Sequence, residues 1–176
     1  MKMYEYRVLV PKERIGALIG DEGKTKRLLE KQTNTSILVS EEEVTIMSED
    51  SFSAWIGEQI IKAIARGFNP KDAVKLKNEG YAFEVIDIMD YAKNQNDKFR
   101  LRGRVIGEDG RTREIIEDLT TCKISVYGKT IGIIGPSEQI SNAIKAVEML
   151  LKGAQTATVY RLLEKEAKNR LKKELI

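Results

Sequence analysis

The chain's 176 residues, 41% hydrophobic and 32% charged with a formal net charge of +3, suit one large or two small globular domains. They require any nucleic-acid site to come from local clustering of charge. The absence of histidine and the single cysteine, Cys122, exclude an internal disulfide framework, remove the commonest general base and zinc ligand, and point to a reducing, cytoplasmic compartment. No run of about 18 apolar residues could span a membrane, and the opening MKMYEYRVLVPKER lacks the apolar core of a signal peptide.

Residues 4–10 alternate and are rich in β-formers, which predicts a strand. Pro11 starts a short helix through Leu18. The turn Gly20-Asp21-Glu22-Gly23 follows, then a helix over about residues 24–32. Strands are expected at 36–39 and 44–47, joined by the acidic turn Glu41-Glu42-Glu43. Ser51 starts a helix with Phe52, Ile56, Ile60 and Ile64 in a stripe, ended by Gly67. Asn69, Pro70 and Asp72 are helix-start signals, so a short helix through Asn78 links the halves.

In the second half, residues 81–91 read as a strand and the polar run 93–98 as a loop. Residues 99–105 lead into a second turn, Gly107-Glu108-Asp109-Gly110, followed by a helix to about Leu119. Strands are expected at 123–126 and 130–134. Gly135-Pro136 opens a helix carrying Ile140, Ala143, Ile144, Val147 and Leu151. A last helix over 158–175 places Val159, Leu163, Ala167, Leu171 and Leu175 on one face, which is expected to pack on the module cores. It has no counterpart after the first half.

The two halves are a repeat. Gly16, Ile19, Gly20, Gly23, Thr25, Glu30, Thr33, Ile37, Val39 and Ile46 each find the same residue 87 positions later, so one domain type is used twice. The expected division is a first module over 1–68, a helical linker over 69–79, a second module over 80–153 and a C-terminal helix over 154–176.

Two glycines three apart before a helix make a tight turn that a ligand backbone can approach closely, while the helix start favours anions. Five arginines stand between Arg100 and Arg113 against two acids. The candidate residues for holding a phosphodiester backbone are Arg102, Arg104, Ile106, Gly107, Glu108, Asp109, Gly110, Arg111, Arg113 and Ile124, with Val105, Ile115 and Val126 as neighbouring apolar positions. Ile19, Gly20, Asp21, Glu22, Gly23, Lys24, Lys26 and Arg27 form a second RNA site or a site for a protein partner. The second module, richer in arginine, is expected to supply most of the RNA affinity. Both turns are acidic inside, so their carboxylates must point to solvent. A nucleotide phosphate loop fails on spacing, because Leu18 stands where its first glycine is needed. No carboxylate pair stands out as catalytic, no metal or cofactor site is expected, and Cys122 reads as a small core residue.

The order strand, helix, GxxG, helix, strand, strand, helix resembles a KH domain of the eukaryotic type, or type I. The resemblance implies an α+β fold: two tandem KH domains, each a three-stranded sheet packed by three helices, plus the C-terminal helix. A KH module grips about four nucleotides. The runs GRVIGEDGRTREIIED and TVYRLLEKEAKNRLK narrow the likeness to the archaeal branch of the pre-ribosomal KH proteins known as Partner of Nob, or Dim-two. That resemblance implies a non-catalytic factor for small-subunit ribosome maturation that binds single-stranded RNA near the 3′ end of the small-subunit rRNA. It also implies the Nob endonuclease and the alpha subunit of initiation factor two as partners. The competing reading is a protein-interaction scaffold in which one module holds a protein instead of RNA.

Overall fold

The computed structural model describes residues 2–176. Contacts divide the chain after Phe83, into one compact unit up to that residue and a second, Glu84–Ile176. In the first, strand β1 (Tyr4–Leu9) leads to helix α1 (Lys12–Ile19), a 3-10 turn at Asp21–Gly23, α2 (Lys24–Thr33), β2 (Ser36–Ser40), β3 (Glu43–Ser48) and α3 (Ser51–Ala65). The sheet order is β1-β3-β2. The antiparallel register sets Val8 opposite Val44 and Ile37 opposite Ile46. All four are buried, as are Leu18, Leu29, Ile60 and Ile64 from the helices. The period-2 faces of the strands and the stripe of α3 therefore meet in one core.

Helix α4 (Pro70–Ala73) follows, started by the Asn69 side chain, which accepts from the Lys71 amide, and continued by a 3-10 turn at Val74–Lys77. Ala73 and Leu76 are buried, so this segment packs on α3 as part of the first unit.

The second unit repeats the plan with β4 (Tyr81–Asp87), α5 (Gln95–Ile106), a 3-10 turn at Glu108–Gly110, α6 (Arg111–Thr120), β5 (Lys123–Tyr127), β6 (Thr130–Pro136) and α7 (Ser137–Leu151). Its sheet order, β4-β6-β5, is the same. Strand β4 ends earlier than its sequence suggests, because the Asp87 carboxylate accepts from the Met89 amide and opens a 3-10 turn.

The polar run 93–98 is not a loop. Helix α5 begins inside it at Gln95, since the Asn94 side chain accepts from the Asp97 amide. The Asp97 carboxylate in turn accepts from the Lys93 amide and from Arg100. The Lys93 bond, followed by Arg100, holds the Asp97 carboxyl below its ordinary range. Such reciprocal capping satisfies the free amides of a helix start.

Helix α8 (Thr156–Glu174) packs on α6 and α7 through buried Val159 and Leu163. The apolar stripe is not buried along its whole length: Leu171 is 54% exposed and Leu175 87%. Helix α8 does have a counterpart in the first half. Counting on 87 positions from α4 reaches its first turn, so α4 is the same element cut short. Leu163→Ala is expected to cost about 2–5 kcal/mol in urea unfolding. Leu171→Ala should stay within about 0.5 kcal/mol of the parent chain.

Candidate nucleic-acid interface

The two GxxG turns have the same conformation. Gly20 lies at φ 69°, ψ 179° and Gly107 at φ 74°, ψ 176°, a region open essentially to glycine alone. Glu22 and Asp109 both sit at φ 51°, ψ 28°, and Gly23 and Gly110 are both left-handed. A Cβ at Gly20 would stand 2.1 Å from Thr25 Oγ1, and one at Gly107 would stand 2.2 Å from Thr112 Oγ1. The first glycine of each turn is thus fixed twice, by backbone conformation and by the threonine packed against it. The second glycine faces only an arginine side chain, Arg27 or Arg113, that can move aside.

The turn spends some of its amides internally. Gly23 donates to Gly20 O at 3.2 Å and Gly110 to Gly107 O at 3.3 Å. Lys24 and Arg111 donate to Asp21 O and Glu108 O. The amides of Asp21 and Glu22, and of Glu108 and Asp109, donate to no acceptor among the described residues. Their four side chains are exposed. These unspent N–H groups at a helix start can hold a phosphate.

The flanking cations divide by what already engages them. Arg104 Nη2 donates to Ala154 O, and Arg104 Nε is buried without a partner. Arg14 does similar work in the first unit, donating to Ile64 O and Phe68 O. Arg100 is paired with Asp97. Arg113 lies 3.5 Å from Glu117, whose carboxylate also accepts from the Ile124 amide at 2.8 Å. Lys26, Glu30 and the Ile37 amide repeat that arrangement. Lys24 has an exposed contact with Glu22 at 3.7 Å. Among the described residues, Arg102 and Arg111 near the second turn and Arg27 near the first make no side-chain ion pair or hydrogen bond, nor does Lys12 at the far end of α1. Exposed pairs such as Lys24–Glu22 and Arg100–Asp97 are weak, so these contacts do not rank the two modules by charge.

Ile19 and Ile106, the last residues before each turn, are half-buried, as are Ile115 and Val126. Ile124 and Val105 lie in the core, at 3% and 0% exposure, so they support the groove from beneath. Residue types alone did not point to Thr25, Thr112, Glu30 or Glu117 as parts of the site, although all four positions stood out in the repeat. Burial pushes the Cys122 thiol up, in keeping with a core residue. No helix among the described residues is long and apolar enough to cross a membrane.

A family model for the KH domain matches residues 5–53, and one described as eukaryotic type KH-domain, type I, matches residues 82–168. The chain is therefore a tandem KH protein of type I. A KH domain-containing protein of Methanocaldococcus jannaschii is 44% identical over 162 residues, covering 89% of this chain and 71% of that protein. Pre-rRNA-processing protein pno1 of Emericella nidulans is 35% identical over 115 residues, or 63% of this chain and 44% of the fungal protein. The chain thus spans less than half of that relative. A chain of the a/eIF2alpha–aDim2p–rRNA complex of Pyrococcus horikoshii is 43% identical, with a TM-score of 0.89 over 95% of this chain and 96% of that one. The chain belongs to the Dim2/Pno1 family of KH proteins.

The two glycines of a turn should respond differently to substitution. Gly107→Ala is expected to destabilise the chain by more than about 1 kcal/mol. Gly110→Ala should cost less, because only a side-chain end faces it. Thermal melts of the two variants check the order.

Proposed function

We propose that this chain is a non-catalytic, single-stranded RNA-binding factor for maturation of the small ribosomal subunit, acting in the cytoplasm near the 3′ end of the small-subunit rRNA. The observation that carries the reading is the duplicated glycine-only turn with its unspent amides, set beside uncommitted cations. Each turn holds the backbone of about four nucleotides, with the half-buried isoleucines under the bases. Support for the substrate comes from the archaeal relative at 43% identity found in a complex with rRNA and a/eIF2alpha, and from the pre-rRNA-processing name of the fungal relative. By the same likeness the alpha subunit of initiation factor two is a partner, and the family resemblance drawn from the sequence adds the Nob endonuclease as the enzyme this factor serves.

Both modules bind RNA in this reading. The expectation that the second would dominate rested largely on its arginines, and Arg100, Arg104 and Arg113 are engaged within the protein. The candidate residues of the first turn, Gly20 to Arg27, are accordingly assigned to RNA. Gly20→Val and Gly107→Val should each weaken a single-stranded rRNA 3′ fragment to a similar degree, with circular dichroism showing that both variants stay folded. Binding that survives Gly20→Val unchanged would return the first module to the scaffold reading.

Charge and strandedness give a second check. Replacing Arg102 and Arg111 with Ala should lower the slope of log K against log salt by roughly one per lost phosphate contact. The parent chain should prefer the single strand to the same sequence annealed to its complement, because a KH groove reads unstacked bases. Filter binding over a salt series measures both.

A further inference from the structure

The two modules differ most on the face behind the GxxG turn. In the second unit this face is covered. Tyr160 Oη of α8 lies 3.2 Å from Thr112 Oγ1, Arg170 Nη1 donates to Leu119 O, and Arg104 donates to Ala154 O just before α8. In the first unit the short α4 and its 3-10 turn cover only part of the same face, with Ala73 and Leu76 buried at the positions of Tyr160 and Leu163. Counting back 87 positions from Arg104, Thr112, Ile115, Ile116 and Leu119 gives Ala17, Thr25, Leu28, Leu29 and Gln32. All five line a groove of about 520 Å3, closed on its other side by Val74 and its neighbours at α4. Leu28 is 53% exposed. The groove stays open because α4 stops after one turn where α8 runs for 19 residues.

We propose that this groove is the docking site for an amphipathic helix of a partner protein, apolar on one face and acidic on its flanks. The second module shows what this face takes: a helix presenting a β-branched residue, a tyrosine and a leucine, as α8 does with Val159, Tyr160 and Leu163. The flanks follow from charge. Lys71 lines the groove, and exposed Arg27 and Lys31 stand on α2 one residue before Leu28 and Gln32. No acidic side chain lines it among the described residues. An apolar floor with a basic rim suits an acidic amphipathic helix laid by its apolar stripe. RNA would use the rim but leave the exposed Leu28 without a partner. Docking here would also press on Thr25, which packs against Gly20 as Thr112 packs against Gly107.

The test uses the full chain and a synthetic peptide of the α8 sequence carrying Lys165→Glu, Lys168→Glu, Lys172→Glu and Lys173→Glu. Those four positions are exposed in α8, so the apolar face is kept and only the flank changes sign. The peptide is expected to shift the methyl resonances of Leu28 and Val74. Leu28→Glu in the chain should weaken it by at least about tenfold, the loss expected for burying an unpaired charge. Leu28 is exposed, so an unchanged melting temperature verifies that the variant folds. No shift at millimolar peptide overturns the proposal, as do equal binding by the Leu28→Glu chain and equal binding of the unsubstituted α8 peptide. Shifts confined to the second module, or shifts at Leu28 and Val74 produced by single-stranded RNA and not by the peptide, also overturn it.

Discussion

Two glycines held near φ +70° and ψ 180°, each with a threonine hydroxyl where a side chain would be, set the geometry on which everything else in this molecule depends. In that conformation α1 and α5 end abruptly, and α2 and α6 start anew after four residues. The two amides between the glycines are left without acceptors, while their carboxylates lie in water. An L-residue at either position would strain the backbone and displace the threonine together. The turn is therefore a donor array fixed by its glycine conformation and by the threonine packed against it. Preorganised donors cost little to use, which is what a sequence-tolerant grip on a phosphodiester backbone requires.

The repeat shows which charges the fold itself uses. Glu30 and Glu117 each tie the helix after the turn to the following strand, by accepting the amide of Ile37 or Ile124. Each also holds the cation at the third position of that helix, Lys26 or Arg113. Arg14 and Arg104, one turn apart in the repeat frame, bind carbonyls at the ends of their own modules. These ties recur at both turns. The modules then differ in their backs rather than their RNA faces: a long helix braces one turn, and a truncated helix leaves the other accessible.

Much of this was legible in the sequence because the repeat imposes its own check. Ten identities at one spacing located both turns, the strand order and the module type. The start of α5 was not legible, because its cap uses Asn94 and Asp97 inside a run that composition alone assigns to a loop. The fate of Arg104 was hidden for a different reason. Its partner is a backbone carbonyl 50 residues away, and no local pattern announces such a bond. The apolar period of α8 was correct as a helix signal. It overstated burial, because α6 and α7 cover the early turns and leave Leu171 and Leu175 exposed. Periodicity reports a face, and only packing decides how far that face is used.

The central claim is that both turns hold a phosphodiester backbone through their unspent amides. Amide resonances recorded while a single-stranded rRNA 3′ fragment is added to the full chain test it most directly. The account predicts saturable shifts at Asp21 and Glu22 and also at Glu108 and Asp109, with the carboxylate side chains of these residues remaining in solvent. Shifts at only one of the two turns, or binding that leaves all four amides unmoved, would contradict it.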